Sequence, residues 1–305
     1  MSRSNRVAAS VLVYLMLLGA FFFPMATYAD ERLTVYTVNY PLAYMAQTIG
    51  GNAVDVVFPA PADIDPAYWN PDTETLLAFQ KADLILISGA DYAQWLAKVS
   101  LPKSRIIDTT KEVRDRFILL ESSQSHNHGP DGDHSHEGFA FTVWLDFEIA
   151  AFQADRITLG LIRKAPDQKT YFENNLKQLK RELQTLDDRL LKLGRKYQTT
   201  PLIGSHPVYQ YFAKRYKFNV KSVHWEPDQH PGDQQVADLK NLLVTHNSDL
   251  MLWEAEPEES TQQLLAGLGL KSVVFNPSGN RPADGDFLTI MQENVNRLEK
   301  ALTVK

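Results

Sequence analysis

Histidine side chains give the first chemical signal in this sequence. Of the eight His, four lie within residues 123–137, as two His-x-His pairs on either side of Asp131 and Asp133. The four are His126, His128, His134 and His136. Neutral imidazole is a good ligand for zinc, copper and nickel, and His-rich tracts commonly bind metal. Because Gly, Pro and polar residues fill this segment, we expect a mobile surface loop without helix or strand, which either gathers metal ions or is simply solvated.

A second set of metal-capable side chains follows predicted strands near the end of the chain. His206 comes directly after the apolar run 201–205, and Glu254 comes directly after the run 250–253. The carboxyl ends of parallel strands line the binding crevice of an α/β sheet. The two side chains are therefore candidates for one metal site, the alternative being that each caps the helix that follows it.

Three other His lie in the same part of the chain. His224 and His230 belong to the loop after a third predicted strand, where each is either a spare ligand or merely exposed. His246 lies at a predicted helix end, where a cationic side chain suits the helix dipole, so we expect a structural role for it.

The elements that must position these residues alternate between strand and helix. Short apolar or β-branched runs predict strands at 33–38, 54–58, 82–88 and 105–108, and again at 201–205, 219–223, 250–253 and 272–275. Helical patterns separate the strands, one of them over 92–99, and this alternation predicts an α/β fold with parallel sheets. The expected organisation is a signal peptide over 1–29, an N-terminal α/β lobe over 30–165 with the His-rich loop 123–137, a bridging helix over 166–198 and a C-terminal α/β lobe over 199–305.

One long amphipathic helix is predicted between the lobes. Seven apolar residues follow a 4-3-4-3-4-3 spacing: Phe172, Leu176, Leu179, Leu183, Leu186, Leu190 and Leu193. About 30 residues give a rod of roughly 45 Å. The stripe either packs against the two lobes of its own chain, which we favour, or forms a dimeric coiled coil.

The N-terminus and the composition limit where the protein works and what it binds. Arg3 and Arg6 precede an apolar run that ends at the small-residue site Ala26-Thr-Tyr-Ala29, which predicts a cleavable signal peptide. The chain has no Cys, and its net charge is −6. We therefore expect a periplasmic protein without a lipid anchor, without disulfides and without nucleic acid as a partner.

Several motifs resemble those of the metal-binding receptors of ABC uptake systems for zinc and manganese. They are Val-Asn-Tyr-Pro-Leu at 38–42, Lys-Ala-Asp-Leu-Ile-Leu-Ile-Ser-Gly at 81–89, Ala-Gln-Trp-Leu at 93–96, Val-Trp-Leu-Asp at 143–146, Tyr-Phe-Glu-Asn-Asn at 171–175 and Tyr-Phe-Ala-Lys-Arg-Tyr at 211–216, after His206. The similarity covers nearly all of residues 33–302. It implies two parallel-sheet lobes linked by one long rigid helix, with a metal cleft between the lobes and a permease as the partner.

The resemblance fails at half of the metal site that it implies. Zinc-binding members supply a His after Asp-Pro in the first lobe and another before Val-Trp-Leu-Asp, whereas this chain has Ala67 and Thr142 there. His206 and Glu254 match the other two ligands. Because zinc usually takes at least three protein ligands, a replacement is needed. The candidates are Asp63, Asp65 and His224.

Aromatic residues are candidates for the walls of such a cleft. We expect Trp69, Thr142 and Trp144 to line it, with Tyr68 beside them, although packing in the core is the more ordinary role for the aromatic residues. Asp146 is better placed to cap the helix that begins at residue 147 than to bind metal.

The sequence thus predicts a monomeric receptor that captures zinc, or manganese or another divalent transition metal, and delivers it to an ABC permease. One alternative is a receptor for a metal chelate or another small ligand, held against the tryptophans. Another is a metal buffer or chaperone that uses mainly the His-rich loop. A metallohydrolase is a weaker alternative, because the chain lacks a Gly-x-Ser-x-Gly elbow, a His-Glu-x-x-His helix and nucleotide-binding loops, so we expect no enzyme activity.

Overall fold

The computed structural model describes residues 32–120 and 138–303, and the backbone of two short strands between these ranges. The predicted signal peptide, 1–29, lies outside the described residues, as do all side chains of the His-rich loop. From Arg32 onward the chain forms one compact unit. No helix in the described ranges is both long enough and apolar enough to cross a bilayer.

The first sheet contains four parallel strands in the order β2-β1-β3-β4. Its strands are β1 (Leu33–Thr37), β2 (Val54–Val57), β3 (Leu84–Ile87) and β4 (Ile106–Asp108). Helix α1 (Tyr40–Gly50) follows β1, and helix α2 (Thr73–Lys81) precedes β3. Asn39 fixes the start of α1, because its side-chain oxygen accepts a hydrogen bond from the backbone N–H of Leu42.

The second sheet repeats this arrangement, with four parallel strands in the order β10-β9-β7-β8. Its strands are β7 (Pro201–Gly204), β8 (Asn219–Ser222), β9 (Leu250–Trp253) and β10 (Lys271–Val274). Its helices are α5 (Gln210–Tyr216), α6 (Asp233–Thr245), α7 (Glu259–Gly267) and α8 (Phe287–Thr303). All four residues of β9 are buried, as expected for an apolar strand that is covered on both sides of the sheet.

Two consecutive helices connect the sheets. Helix α3 (Phe147–Lys164) begins at Asp146, whose carboxylate accepts from the backbone N–H groups of Glu148 and Ile149, so the predicted helix cap is confirmed. Helix α4 (Lys169–Tyr197) has 29 residues and follows a single 3₁₀ turn. At 1.5 Å per residue it is about 43 Å long.

The apolar stripe of α4 packs inside its own chain. Six of its seven residues are buried, and Leu176 is partly buried against the same core. The helix contacts α1, α3, α5 and α8, which come from both sides of it in sequence. The stripe therefore packs against the lobes of its own chain, as we favoured, and does not form the seam of a dimeric coiled coil.

Two local expectations are wrong. The segment predicted as helix 92–99 contains only a short 3₁₀ turn, Gln94–Lys98, because the backbone turns through positive φ at Gly89, Ala90 and Asp91 just before it. The His-rich segment, expected to lack strands, contains β5 (Ser125–Asn127) and β6 (Asp133–Ser135). Strand pairing uses backbone N–H and C=O groups, so a polar composition does not prevent it.

We use the term N-terminal lobe for β1 to α3 and the term C-terminal lobe for β7 to α8. The boundaries of the predicted domains stay a prediction, since the chain from Arg32 forms one compact unit.

Candidate metal centre

The candidate site lies at the carboxyl edge of the second sheet, where three neighbouring strands end at the same level. Gly204 of β7 is paired with Ser222 of β8 on one side and with Leu252 of β9 on the other. The residues two positions after Gly204, Ser222 and Leu252 therefore lie at the same edge of the sheet. These three residues are His206, His224 and Glu254.

Distances confirm that these side chains converge. The Nδ1 atom of His206 lies 3.2 Å from Oε1 of Glu254. The same nitrogen lies 3.9 Å from Oε1 of Glu226, and the rings of His206 and His224 pack edge to face with centroids 5.4 Å apart. The C-terminal lobe thus brings two imidazoles and two carboxylates together.

Glu226 is the site residue that the sequence analysis missed. It follows His224 by two residues, and Trp225 between them is buried in the core against Trp253. This alternation directs residues 224 and 226 away from the core. The alternation of buried and outward-facing residues continues past the end of β8 and could have identified Glu226. The prediction considered only the His residues of this loop.

The N-terminal lobe contributes the loop that follows β2. Asp65 shapes this loop: its Oδ1 accepts from the N–H of Ala67 at 2.9 Å. Its backbone carbonyl accepts from the N–H groups of Tyr68 and Trp69 at 3.1 and 3.0 Å. The hydrogen bonds form a tight turn that holds the Asp65 carboxylate close to the charges of the C-terminal cluster.

The pKa values report this proximity. Asp65 as a residue is exposed, but protein around its carboxyl group displaces bulk water. This desolvation raises the pKa of Asp65 to about 6, against the hydrogen bond from Ala67, and the negative charge of Glu254 raises it further. Desolvation also raises the pKa of Tyr68, with added repulsion from Asp65, Glu254 and Glu226.

The pKa of His206 shows which effect dominates at the centre of the cluster. Burial by itself would lower this pKa, because it disfavours the imidazolium. The hydrogen bond to Glu254 and the charges of Glu254, Glu226 and Asp65 outweigh burial, so the pKa of His206 is raised. The centre is therefore a strongly negative environment that attracts a cation.

Other candidates lie away from the cluster. Asp63 is exposed, and no ion pair among the described residues joins it to His206. The exposed His230 contacts the hydroxyl of Ser260 at 3.1 Å. His246 is buried, and its Nε2 donates to the carbonyl of Leu202 at 3.0 Å, which gives it the structural role expected.

The His-rich segment contains β5 and β6, which pair antiparallel with residue 126 opposite residue 134. The side chains of His126, His128, His134 and His136 lie outside the described residues. Their predicted role as a metal-collecting loop stays a prediction.

The donor types fit a divalent transition metal. Tetrahedral zinc with ligand bonds of 2.0–2.2 Å holds a nitrogen and an oxygen ligand about 3.3 Å apart. The observed 3.2 Å between Nδ1 of His206 and Oε1 of Glu254 is close to that value. No three His, Asp or Glu side chains within the described ranges surround a single point as they stand.

Comparison with known proteins identifies the family. A family model described as zinc-uptake complex component A, periplasmic (ZnuA), matches residues 35–301. The chain belongs to this family. Members of the ZnuA family are solute-binding components of ABC uptake systems and not enzymes, which confirms that expectation.

Individual relatives agree with the family. The high-affinity zinc uptake system protein ZnuA of Bacillus subtilis (strain 168) is 27% identical over 284 residues, which cover 90% of this chain and 89% of that protein. The zinc-binding lipoprotein AdcA of Streptococcus pneumoniae is 24% identical over 89% of this chain, but the match spans only 56% of AdcA. The crystal structure of the metal-dependent lipoprotein YcdH from Bacillus subtilis has a TM-score of 0.74 at 23% identity, over 88% of this chain and 98% of YcdH, which shows the common fold.

The expectation of a protein without a lipid anchor is wrong. AdcA and YcdH are named as lipoproteins, and so is the metal-binding relative SloC of Streptococcus mutans. The expectation relied on the absence of Cys, and the absence of one residue type does not establish how a chain is held at a membrane.

The two positions where the family resemblance implies His are occupied by residues with other contacts. Ala67 is fully buried in the core of the N-terminal lobe. Thr142 is buried as well, and its hydroxyl donates to the carbonyl of Val208 at 2.5 Å. Neither side chain offers a metal-binding nitrogen, so the N-terminal lobe supplies fewer donors than the resemblance implies.

The other residues expected to line the cleft differ in burial. Trp144 is 1% exposed, and its indole N–H donates to the carbonyl of Pro277 at 2.8 Å, so it packs where the two lobes meet. Trp69 and Tyr68 are half-buried, and Tyr68 packs edge to face against Phe141. Tyr68 lies close enough to the charged cluster for Asp65, Glu254 and Glu226 all to raise its pKa.

Proposed function

We propose that this chain is the zinc-binding receptor of an ABC importer and that it holds the ion between His206 and Glu254. The relatives ZnuA and AdcA are named for zinc uptake and zinc binding, which supports zinc as the substrate. The observation that carries the proposal is the 3.2 Å approach of His206 Nδ1 to Glu254 Oε1. Zinc would replace the hydrogen bond between these two atoms.

The C-terminal lobe supplies most of the ligands in this proposal. Glu226 and His224 stand beside His206, and a small rotation of either side chain provides a third donor. Asp65 approaches from the N-terminal lobe and completes the coordination. Carboxylates are accepted zinc ligands, so these residues compensate for Ala67 and Thr142.

The positive charge of the ion would draw the two lobes together. Without metal, the carboxylates of Asp65, Glu226 and Glu254 repel one another, and the charges of the two Glu add to desolvation in raising the pKa of Asp65. A divalent cation reverses this repulsion, because it attracts all three carboxylates at once. The metal-bound form then presents a defined pair of lobe surfaces to the permease, which receives the ion.

A binding experiment tests the proposed site. Purified protein is stripped with a chelator, and zinc affinity is measured by competition with a chromophoric chelator. We expect one tight site in the wild type and a loss of affinity of at least about 100-fold in His206→Ala, because a ligand is removed. His230→Ala is the matched control, since this exposed His contacts Ser260 instead, and it should bind as the wild type does. Equal affinities for His206→Ala and the wild type would contradict the proposal.

Delivery is tested separately with the cognate permease. In proteoliposomes that contain the permease and its ATPase, zinc uptake should require the wild-type receptor and fall to background with His206→Ala. Equal uptake with both receptors would contradict delivery from this site.

A further inference from the structure

A short segment after β10 connects the C-terminal lobe to the N-terminal lobe beside the candidate site. We name residues 276–281, Asn-Pro-Ser-Gly-Asn-Arg, the strap. The carbonyl of Pro277 accepts from the indole of Trp144 at 2.8 Å, and the carbonyl of Gly279 accepts from the N–H of Tyr40 at 3.0 Å. The strap therefore lies against the first turn of α1 and against the segment that precedes α3.

Asn280 is the strap residue that reaches the loop of Asp65. Its Nδ2 donates to the backbone carbonyls of Pro61 at 2.6 Å, Ile64 at 2.8 Å and Ala62 at 3.3 Å. Ile64 directly precedes Asp65 in the chain. One amide thus holds the backbone immediately before the carboxylate that faces the metal centre.

The loop held by Asn280 has little burial of its own. Residues 61–65 are all exposed, and they lie in a connection without helix or strand between β2 and α2. Little apolar area is removed from water here, so packing contributes little to its order. Hydrogen bonds within the turn at Asp65 and from Asn280 therefore limit the conformational freedom of the loop.

The other end of the strap is rigidly supported, which allows Asn280 to act as a fixed point. The side chain of Asn294 on α8 is fully buried and binds the backbone of Asn276 in both directions, at 3.0 and 2.7 Å. Arg297 donates to the same side chain at 2.9 Å. Ser278 is buried at φ 56°, a left-handed conformation that only a defined turn sustains.

We propose that Asn280 is a positioning residue for metal binding, which holds the Asp65 loop of the N-terminal lobe against the C-terminal lobe. This inference rests on the proposed function, in which Asp65 is a ligand from the N-terminal lobe. Asn280 does not touch the ion. It acts by reducing the entropy that Asp65 loses when it coordinates zinc, and it ties the two sides of the cleft together beside the ion.

The test is a double-mutant cycle with zinc affinity as the readout. Asn280→Asp keeps the shape of the side chain but replaces the donor by a carboxylate that faces carbonyl oxygens. Asp65→Asn keeps an oxygen that can accept from Ala67 but removes the charge. We expect Asn280→Asp to weaken zinc binding by about three- to tenfold in the wild-type background, because the loop loses the amide that now donates to its carbonyls. In the Asp65→Asn background the same change should have less than about twofold effect, because the residue through which it acts is already altered.

Asn175→Asp is the matched control. Asn175 also donates its Nδ2 to a backbone carbonyl far away in sequence, that of Ile49 at 3.0 Å, but this contact lies at the C-terminal end of α1, away from the strap. This variant should lower the melting temperature without a change in zinc affinity. Amide hydrogen exchange should accelerate over residues 61–69 in Asn280→Asp and not in Asn175→Asp.

The outcomes separate the two proposals. Wild-type affinity in Asn280→Asp, or equal effects of this change in both Asp65 backgrounds, would overturn the positioning role while zinc binding at His206 stands. Absence of a tight zinc site in the wild type would overturn the proposed function and this inference with it. A weaker affinity that depends on Asp65 supports both.

Discussion

The Nδ1 atom of His206 and Oε1 of Glu254 lie 3.2 Å apart, although 48 residues separate them in the chain. Strand order explains this contact. β7 and β9 are parallel neighbours, and each side chain lies two residues beyond a pair of residues, Gly204 and Leu252, that face each other in the ladder. The site is therefore a consequence of sheet register, and the third adjacent strand, β8, adds His224 and Glu226 to it.

Glu226 should contribute to zinc binding, although it was not among the predicted ligands. Its Oε1 lies 3.9 Å from Nδ1 of His206, so Glu226→Gln removes a negative charge and a donor from the centre. We expect zinc affinity to fall about tenfold, measured by chelator competition. Glu256→Gln is the control, because Glu256 accepts from Gln262 on the surface and should bind zinc normally. Equal affinities in the two variants would show that Glu226 is not part of the site.

Zinc affinity should fall as the pH is lowered. In the proposed site, zinc would bind the neutral imidazole of His206, whose pKa is raised, and the ionised carboxylate of Asp65, whose pKa is raised to about 6. Protons therefore compete with zinc at both groups as the pH decreases through their raised pKa values. We expect affinity to decrease at least about tenfold from about pH 7.5 to about pH 5.5. The decrease should be smaller in Asp65→Asn, and an affinity that stays constant over this range would contradict the assignment of both residues.

The long helix should anchor the C-terminal lobe through Asp187. This buried carboxylate accepts from Nε and an Nη atom of Arg215 at 2.9 and 2.7 Å, and from the hydroxyl of Tyr216 at 2.9 Å. Asp187→Asn removes the most buried of the three carboxylates that pair with Arg215, the others being Asp146 and Glu148. We therefore expect a loss of about 2–4 kcal/mol in the free energy of unfolding, measured with urea. Zinc affinity should change less than about twofold, because the contact lies outside the cluster.

The neighbouring acid provides the control for that prediction. Asp188 is exposed and accepts from Gln184 one turn away on the same helix. Asp188→Asn should change the free energy of unfolding by less than about 0.5 kcal/mol. If Asp187→Asn is equally harmless, the ion pair does not anchor the lobe.

Much of the fold could be predicted from local sequence. Apolar runs bounded by Gly and Pro locate strands, and the 4-3 spacing of Leu locates α4, because these patterns repeat with the period of the element itself. His206 and Glu254 could be placed in one site for the same reason, as each follows a strand of the same sheet. The helix predicted at 92–99 was wrong because the backbone turns at Ala90 and Asp91 are not visible in an apolar pattern.

The remainder of the site depends on contacts that have no periodic signal. Asn280 and Pro61 lie 219 residues apart, and both belong to irregular segments. Neither segment has a sequence pattern that predicts the contact between them, because the contact results from how the lobes pack. The proposed role of Asp65 could be suggested only by its place beside the missing His, and the contact of Asn280 with its loop could not be suggested from the sequence.

The most direct test of the central claim is a calorimetric zinc titration of the chelator-stripped protein that lacks residues 123–137. With the His-rich segment removed, our account predicts one tight zinc site, and it predicts that His206→Ala in this shortened chain abolishes that site. Absence of tight binding in the shortened chain, with retention of it in the full-length His206→Ala variant, would place the metal site in the His-rich segment and contradict the account.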